Sequence, residues 1–230
     1  MFEGKKVIIF DLDGTLIDSI NIWNIVDQEL IKYYTGKLIS KDIIGEQRDY
    51  ILSTTTNPNI YQAYFEYLKK VYDISSSVDE IRLKRKEFTD RYIKESVRFK
   101  EGATELLHTL KNKGYKIALA TTTTKYCVDI YNNENPYTSI IDFDYIFALI
   151  LTVEDVQYKK PNPEIHEKIM SYFGVSPKEC LIFEDSIQGV EAANKANIEV
   201  VCVSSNDNLE NKKLKKISDY FVYSLKDIIY

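Results

Sequence analysis

Two aspartates one residue apart, Asp11 and Asp13, come directly after the apolar run Val7-Ile8-Ile9-Phe10 and before Gly14 and Thr15. A second apolar run, Ile117-Ala118-Leu119-Ala120, ends in Thr121 and Thr122, and a later one, Leu181-Ile182-Phe183, ends in Glu184 and Asp185. If each run is a buried strand of an open α/β sheet, these groups leave the carboxyl ends of the strands, where such sheets bind ligands. Four carboxylates and a pair of hydroxyls then converge on one edge. Carboxylates gathered that closely are unfavourable without a cation among them, and an all-oxygen ligand set suits Mg²⁺ rather than zinc. An EF-hand loop beginning at Asp11 fails, because Thr15 and Ile22 stand at its fifth and twelfth positions, the latter in place of glutamate.

The elements that must position these groups are short. Besides the three runs above, Tyr145 to Ile150 and Val200-Val201-Cys202-Val203 are continuously apolar, the mark of strands covered on both faces. Helical stretches separate them: Glu101 to Lys113, closed by Gly114; Pro163 to Phe173, closed by Gly174; and Ser186 to Ala196. Strands alternating with helices predict an α/β fold, a doubly wound, Rossmann-like parallel sheet. Residues 18–98 break this rhythm. On a helical wheel, Ile20 to Tyr34 gathers Ile20, Ile22, Trp23, Val26, Leu30, Ile31, Tyr33 and Tyr34 on one broad face. Ile60 to Tyr72 sets Tyr64, Tyr67, Leu68 and Val71 against Gln62, Glu66 and Lys69 in the same way, and Ser53 to Pro58 reads as a loop. The expected organisation is an α/β core over 1–17 and 99–230 with an all-helical insert over 18–98.

The chain of 230 residues carries a formal net charge of −5, with 44% hydrophobic and 28% charged residues, as an ordinary folded protein does. No global basic field recruits nucleic acid or an anionic membrane, and Lys212, Lys213, Lys215 and Lys216 read as a solvated helix face. No apolar run approaches the roughly 20 residues of a membrane span, and the four apolar residues before Asp11 fall short of a signal-peptide core. Cys127, Cys180 and Cys202 are odd in number and widely spaced, which fits free thiols and a reducing, cytoplasmic setting. His108 and His166 fall in predicted helices and read as packing or surface residues.

Asp11-Leu12-Asp13-Gly14-Thr15 after a hydrophobic strand, Thr121 after a second, Lys160 before Pro161, and Glu184-Asp185-Ser186 with Gly189 follow one another along the chain. In this order and strand context they resemble the haloacid dehalogenase (HAD) superfamily of phosphohydrolases. The helical insert after the first motif resembles the cap of its β-phosphoglucomutase-like and phosphoglycolate-phosphatase-like branch. The resemblance implies that Asp11 attacks phosphorus and forms an aspartyl-phosphate, and that Asp13 protonates the leaving alkoxide and then activates water. It further implies that Asp11, Asp185 and the carbonyl oxygen of Asp13 hold Mg²⁺ with Glu184 in or near the shell. Thr121, the amide of Thr122 and Lys160, favoured over Lys159 by the Lys-Pro-x-Pro spacing, would bind the transferring oxygens.

Within the family, dehalogenases lack an aspartate two residues after the nucleophile and phosphonate-cleaving members carry a small residue there, so Asp13 points to phosphate esters. Phosphatase and phosphomutase both remain open at that point. Ile44-Gly45-Glu46-Gln47-Arg48 resembles the mutase's cap loop, with Arg48 at its phosphate-binding arginine and Ser19 near its threonine. The mutase's lysine and histidine correspond to Ile44 and Trp23 here, and losing both favours a phosphatase. The expected partner is a small phosphorylated metabolite, a sugar phosphate or a nucleoside monophosphate, handled by a monomer. A catalytically idle regulatory protein on the same scaffold is the reading from another class.

Overall fold

The protein is described by a computed structural model over residues 1–57, 59–204 and 209–228. Strand β1 (Val7–Phe10) is followed by the helices α1 (Ile22–Thr35), α2 (Lys41–Thr54), α3 (Ile60–Val71) and α4 (Val78–Glu95). The chain continues through α5 (Ala103–Asn112), β2 (Lys116–Ala120), α6 (Lys125–Asn133), α7 (Phe143–Ile146) and β3 (Leu149–Leu151). It ends with α8 (Glu164–Phe173), β4 (Cys180–Glu184), α9 (Ile187–Lys195), β5 (Glu199–Val203), α10 (Leu209–Ile217) and β6 (Tyr220–Val222). Two compact units result, Met1–Asp18 with Val97–Tyr230, and Ser19–Ser96.

In the first unit all strand pairings are parallel, in the order β3-β2-β1-β4-β5-β6. The chain builds outward from β1 in one direction and then in the other, so the order reverses beside β1, the position where open α/β sheets form a ligand crevice. Val7, Ile9, Ala118, Ala120, Ile182, Val200 and Cys202 share one sheet face and pack with Ile165 and Ile169 of α8, Val190 and Ala193 of α9 and Leu214 of α10. Phe10 stacks on Phe183 at 4.7 Å between ring centroids. Each such side chain removed from water contributes roughly 1.5–3 kcal/mol, which is why the continuous apolar runs of the sequence become central strands.

Two strand readings change. Tyr145 to Ile150 is not one strand: the Asp142 side chain accepts the Tyr145 amide at 3.2 Å and caps the short helix α7, leaving Leu149–Leu151 to pair with β2. The edge strand β6 carries only three half-buried residues, too short a pattern to stand out. Gly114 and Gly174 adopt the left-handed conformation expected after α5 and α8. Lys212, Lys213, Lys215 and Lys216 are exposed, and the three cysteines are buried free thiols. Among the described residues no helix is long and apolar enough to cross a membrane.

The second unit is all-helical. Ile22, Val26, Leu30 and Ile31 of α1 are buried as the wheel predicts, whereas Ile20, Tyr33 and Val71 are exposed. Ser77 and Glu80 form a capping box that starts α4. The loop expected from Ser53 begins later, since α2 runs to Thr54, and Pro58 lies outside the described residues. The main departure is Asp27, a fully buried acid within the apolar face of α1. Its carboxylate accepts Arg85 Nε at 2.6 Å, Arg48 at 3.1 Å and the Tyr64 hydroxyl at 3.0 Å, so three other helices converge on it. Gly45 makes the approach of α2 possible: a Cβ there would lie 2.7 Å from the Asn24 amide group. Removing one member of a buried ion pair costs about 3–5 kcal/mol because the remaining charge is uncompensated. Asp27→Ala should therefore lower unfolding free energy by about that amount in urea titrations.

Candidate active site

The site grows from the register of the central strands. Phe10 stands opposite Leu119 of β2 and Phe183 of β4, and the Asp11 amide continues the ladder to the Phe183 carbonyl at 3.0 Å. Asp11 thus leaves β1 level with Glu184, the last residue of β4. The chain then turns sharply. Gly14 has φ of +92°, and a Cβ there would sit 2.1 Å from Asp185 Oδ2, so only glycine lets this turn close against the acid. Thr15 donates its hydroxyl to Asp185 Oδ1 at 3.0 Å, and Lys100 donates to the Gly14 carbonyl. The DxDGT run therefore holds Asp185 in place while presenting Asp11.

Lys160 is buried among Asp11 Oδ1 at 2.7 Å, Glu184 Oε1 at 2.6 Å and the Ala120 carbonyl at 2.8 Å, whereas Lys159 is exposed. Glu184 is tied on its other oxygen too. Oε2 accepts the amides of Asp185 and Ser186 at 2.9 and 3.1 Å and the Ser186 hydroxyl at 3.1 Å. A cap for α9 is supplied by Ser186, which accepts the Gly189 amide at 3.0 Å. A Cβ on Gly189 would fall 1.8 Å from Glu184 Cδ, so that glycine makes room for the carboxylate.

Oxygens of Asp11, Glu184 and Asp185 all lie within 4.8 Å of one another. Burial, the largest influence, holds the Asp11 carboxyl well above the usual carboxylate range; Lys160 opposes the rise, and Glu184 and Asp185 add to it. Asp185 is pushed up to about 7, by loss of water first and by the Glu184 charge second. Burial opposes the Lys160 charge, but Asp11 and Glu184 outweigh it and raise its pKa. Three crowded acids with one ammonium among them are what a hard divalent cation relieves, so the donor set fits Mg²⁺. The Asp13 carboxylate is not one of the three; it accepts the Tyr131 hydroxyl at 3.0 Å.

The remaining candidates occupy defined positions. Thr121 is buried at the end of β2, its amide bonded to the Leu151 carbonyl at 3.0 Å and its hydroxyl accepting the Thr123 amide at 3.1 Å, while Thr122 is exposed. In the helical unit Ser19 is buried, and the Trp23 ring lies 5.4 Å from the Arg85 guanidinium carbon. Ile44 to Arg48 is not a loop but part of α2, and Arg48 donates to Asp27 and, at 2.8 Å, to Asn24. His108 is exposed; His166 is fully buried, with neither ring nitrogen hydrogen-bonded, and burial pushes its pKa down. Lys100, Tyr131, Asp27 and Arg85 went unnoticed in the sequence, because no local pattern marks a residue whose partner lies tens of positions away.

The family model described as haloacid dehalogenase-like hydrolase matches residues 8–203. YhcW of Bacillus subtilis, provisionally named a phosphatase, is 31% identical over 199 residues, spanning 86% of this chain and 83% of that protein. The phosphorylated carbohydrates phosphatase of Thermotoga maritima is 26% identical over 194 residues, spanning 84% and 82%. Among solved structures, a Thermotoga maritima protein provisionally called a β-phosphoglucomutase superposes with a TM-score of 0.79 at 24% identity, over 97% of this chain and 96% of that one. With the family match running from within β1 to the end of β5, the chain belongs to the haloacid dehalogenase-like hydrolases.

Proposed function

We propose that this enzyme is a phosphatase that hydrolyses phosphate monoesters of small metabolites, sugar phosphates or nucleotides, through an aspartyl-phosphate on Asp11. The observation that carries the reading is the buried Asp11–Lys160–Glu184 contact beside Asp185 at the switch point of the sheet. Asp11, Asp185 and the main-chain carbonyl of Asp13 are the groups assigned to Mg²⁺. Glu184, with both oxygens engaged, orients Lys160 and the start of α9. Bound Mg²⁺ supplies charge neutralisation for the transferring phosphoryl group.

The residues divide the work as follows. A carboxylate oxygen of Asp11 forms a bond to phosphorus as the ester P–O bond breaks. Asp13 gives its proton to the departing alkoxide, then takes one from the water whose oxygen attacks phosphorus and releases Asp11. Lys160 favours the ionised form of Asp11 against the effect of burial and, with Thr121 and the Thr122 amide, balances negative charge on the phosphoryl oxygens. The helical unit is assigned substrate selection, through Ser19, Trp23 and Arg48, on the strength of the sequence resemblance. Complete burial of Ile44 supports hydrolysis over phosphomutase chemistry, because the branch's mutases have lysine there.

Asp11→Asn should lower turnover of p-nitrophenyl phosphate by at least about 10³-fold while the thermal transition is retained; a variant keeping a tenth of the activity excludes the covalent route. EDTA should silence the enzyme, Mg²⁺ should restore it and Ca²⁺ should not, since Ca²⁺ takes higher coordination; full activity in EDTA rules the metal assignment out. With β-glucose 1-phosphate and a trace of the 1,6-bisphosphate, inorganic phosphate should appear without glucose 6-phosphate. A coupled assay reading the reverse would make the protein a mutase.

A further inference from the structure

We infer that Lys100 is a positioning residue that sets how tightly the acidic site holds its divalent cation, bracing the turn beside Asp185 while adding a positive charge there; the inference rests on the Mg²⁺ assignment above. Lys100 is half-buried and lies in the stretch by which the chain re-enters the α/β unit after α4. That stretch runs beside the DxDGT turn. The Asp18 amide donates to the Arg98 carbonyl at 2.9 Å, Ile17 and Phe99 pair as an antiparallel bridge, and the Lys100 amide donates to the Leu16 carbonyl at 2.8 Å. These contacts fix where the Lys100 side chain starts.

From there its ammonium reaches the Gly14 carbonyl. Gly14 packs so closely on Asp185 that a Cβ would lie 2.1 Å from Oδ2, so a lysine held on Gly14 is held near that acid. The electrostatics agree. Burial and then the Glu184 charge raise the Asp185 pKa; among the influences opposing them the Lys100 charge is the largest, ahead of the Thr15 hydrogen bond and of Lys160. The acceptor of the Lys100 bond is a neutral carbonyl, so the ammonium charge is left uncancelled by it and acts on the site.

The charge balance gives the consequence. Asp11, Glu184 and Asp185 together outnumber the single Lys160 ammonium among them, and a divalent cation makes up the difference. Lys100 adds positive charge at the edge of that balance. Two cations repel one another more strongly in a partly buried site than in water, where the high dielectric weakens the interaction, and the repulsion persists within about 10 Å at ordinary salt. Bracing and repulsion therefore act on the ion in opposite directions. The brace holds the turn that presents the Asp13 carbonyl, whereas the charge lowers affinity. A residue with only a structural part supplies the first effect and not the second, so the sign of the change on neutralising Lys100 separates the two.

The test is Lys100→Gln, which keeps a hydrogen-bond donor and deletes the charge, beside Lys100→Arg, which keeps both, and Lys100→Met, which keeps neither. Mg²⁺ binding is measured by titration calorimetry on EDTA-stripped protein, with the thermal transition recorded for each variant. Expected is Mg²⁺ binding about fivefold tighter than wild type in Lys100→Gln and within about twofold of wild type in Lys100→Arg. Lys100→Met, lacking the donor as well, should fall between Lys100→Gln and wild type. At about 0.5 M salt the gap between wild type and Lys100→Gln should narrow. Binding no tighter than wild type in either uncharged variant overturns the inference, as does Lys100→Arg binding as tightly as Lys100→Gln. Wild-type protein that takes up no Mg²⁺ would instead remove the metal assignment itself, and this inference with it.

Discussion

The Lys160 ammonium lies between Asp11 and Glu184, at 2.7 and 2.6 Å, in a site where all three residues are buried. Charges taken out of water must find opposite charge close by or lose their ionisation. One ammonium cannot balance Asp11, Glu184 and Asp185 together; burial first, and the neighbouring acids after it, raise the pKa values of Asp11 and Asp185. The sheet's architecture makes the crowding unavoidable, because β1 and β4 are neighbours in register, an acid follows β1 and another ends β4. A crowded set of acids at the switch point suits the cation and the phosphoryl group proposed for this site.

Much of the surrounding detail follows from that constraint. Gly14 and Gly189 lack side chains because the Asp185 and Glu184 carboxylates occupy the space a Cβ would need. Thr15 steadies Asp185, and the backbone amides at the start of α9 receive Glu184, where the positive end of a helix favours an anion. The Asp13 carboxylate stands outside the crowded trio with a donor of its own in Tyr131. In the proposed mechanism this separates the carboxyl assigned to proton transfer from the carboxylates assigned to the metal.

The helical unit contains a smaller version of the same problem. Asp27 is buried with Arg85 and Arg48 against it and with Tyr64 as a further donor. Four helices meet at one charge, which fixes their register more narrowly than apolar packing alone, since hydrophobic contacts tolerate sliding and a hydrogen-bonded carboxylate does not. It also places Arg48 inside that network, so substitutions at Arg48 act on the unit's packing as well as on any role in choosing substrates.

Local signals in the chain determined a good deal. Continuous apolar runs identified β1, β2, β4 and β5, glycines marked the ends of α5 and α8, and the lack of strand-like runs from 18 to 98 announced an all-helical segment. The order of the motifs brought out Asp11, Asp13, Thr121, Lys160, Glu184 and Asp185. The strand, helix-end and insert signals are written in neighbouring residues, through side-chain periodicity or backbone conformational preference, whereas the roles of the motif residues came from the family resemblance. What depends on partners distant in sequence was decided only by the folded chain: the Lys160 ammonium set between Asp11 and Glu184, Glu184 as an anchor held from both sides, Tyr131 118 positions from the acid it binds, and Asp27 as a buried charge amid an apolar face. The α7–β3 boundary and the brief edge strand β6 belong with them, because a cap at Asp142 and pairing with a neighbouring strand, not apolar content, choose between helix and strand in such short segments. A hydrogen bond or ion pair across a fold has no periodicity to read; it exists only once strand order and helix packing have brought its two ends together.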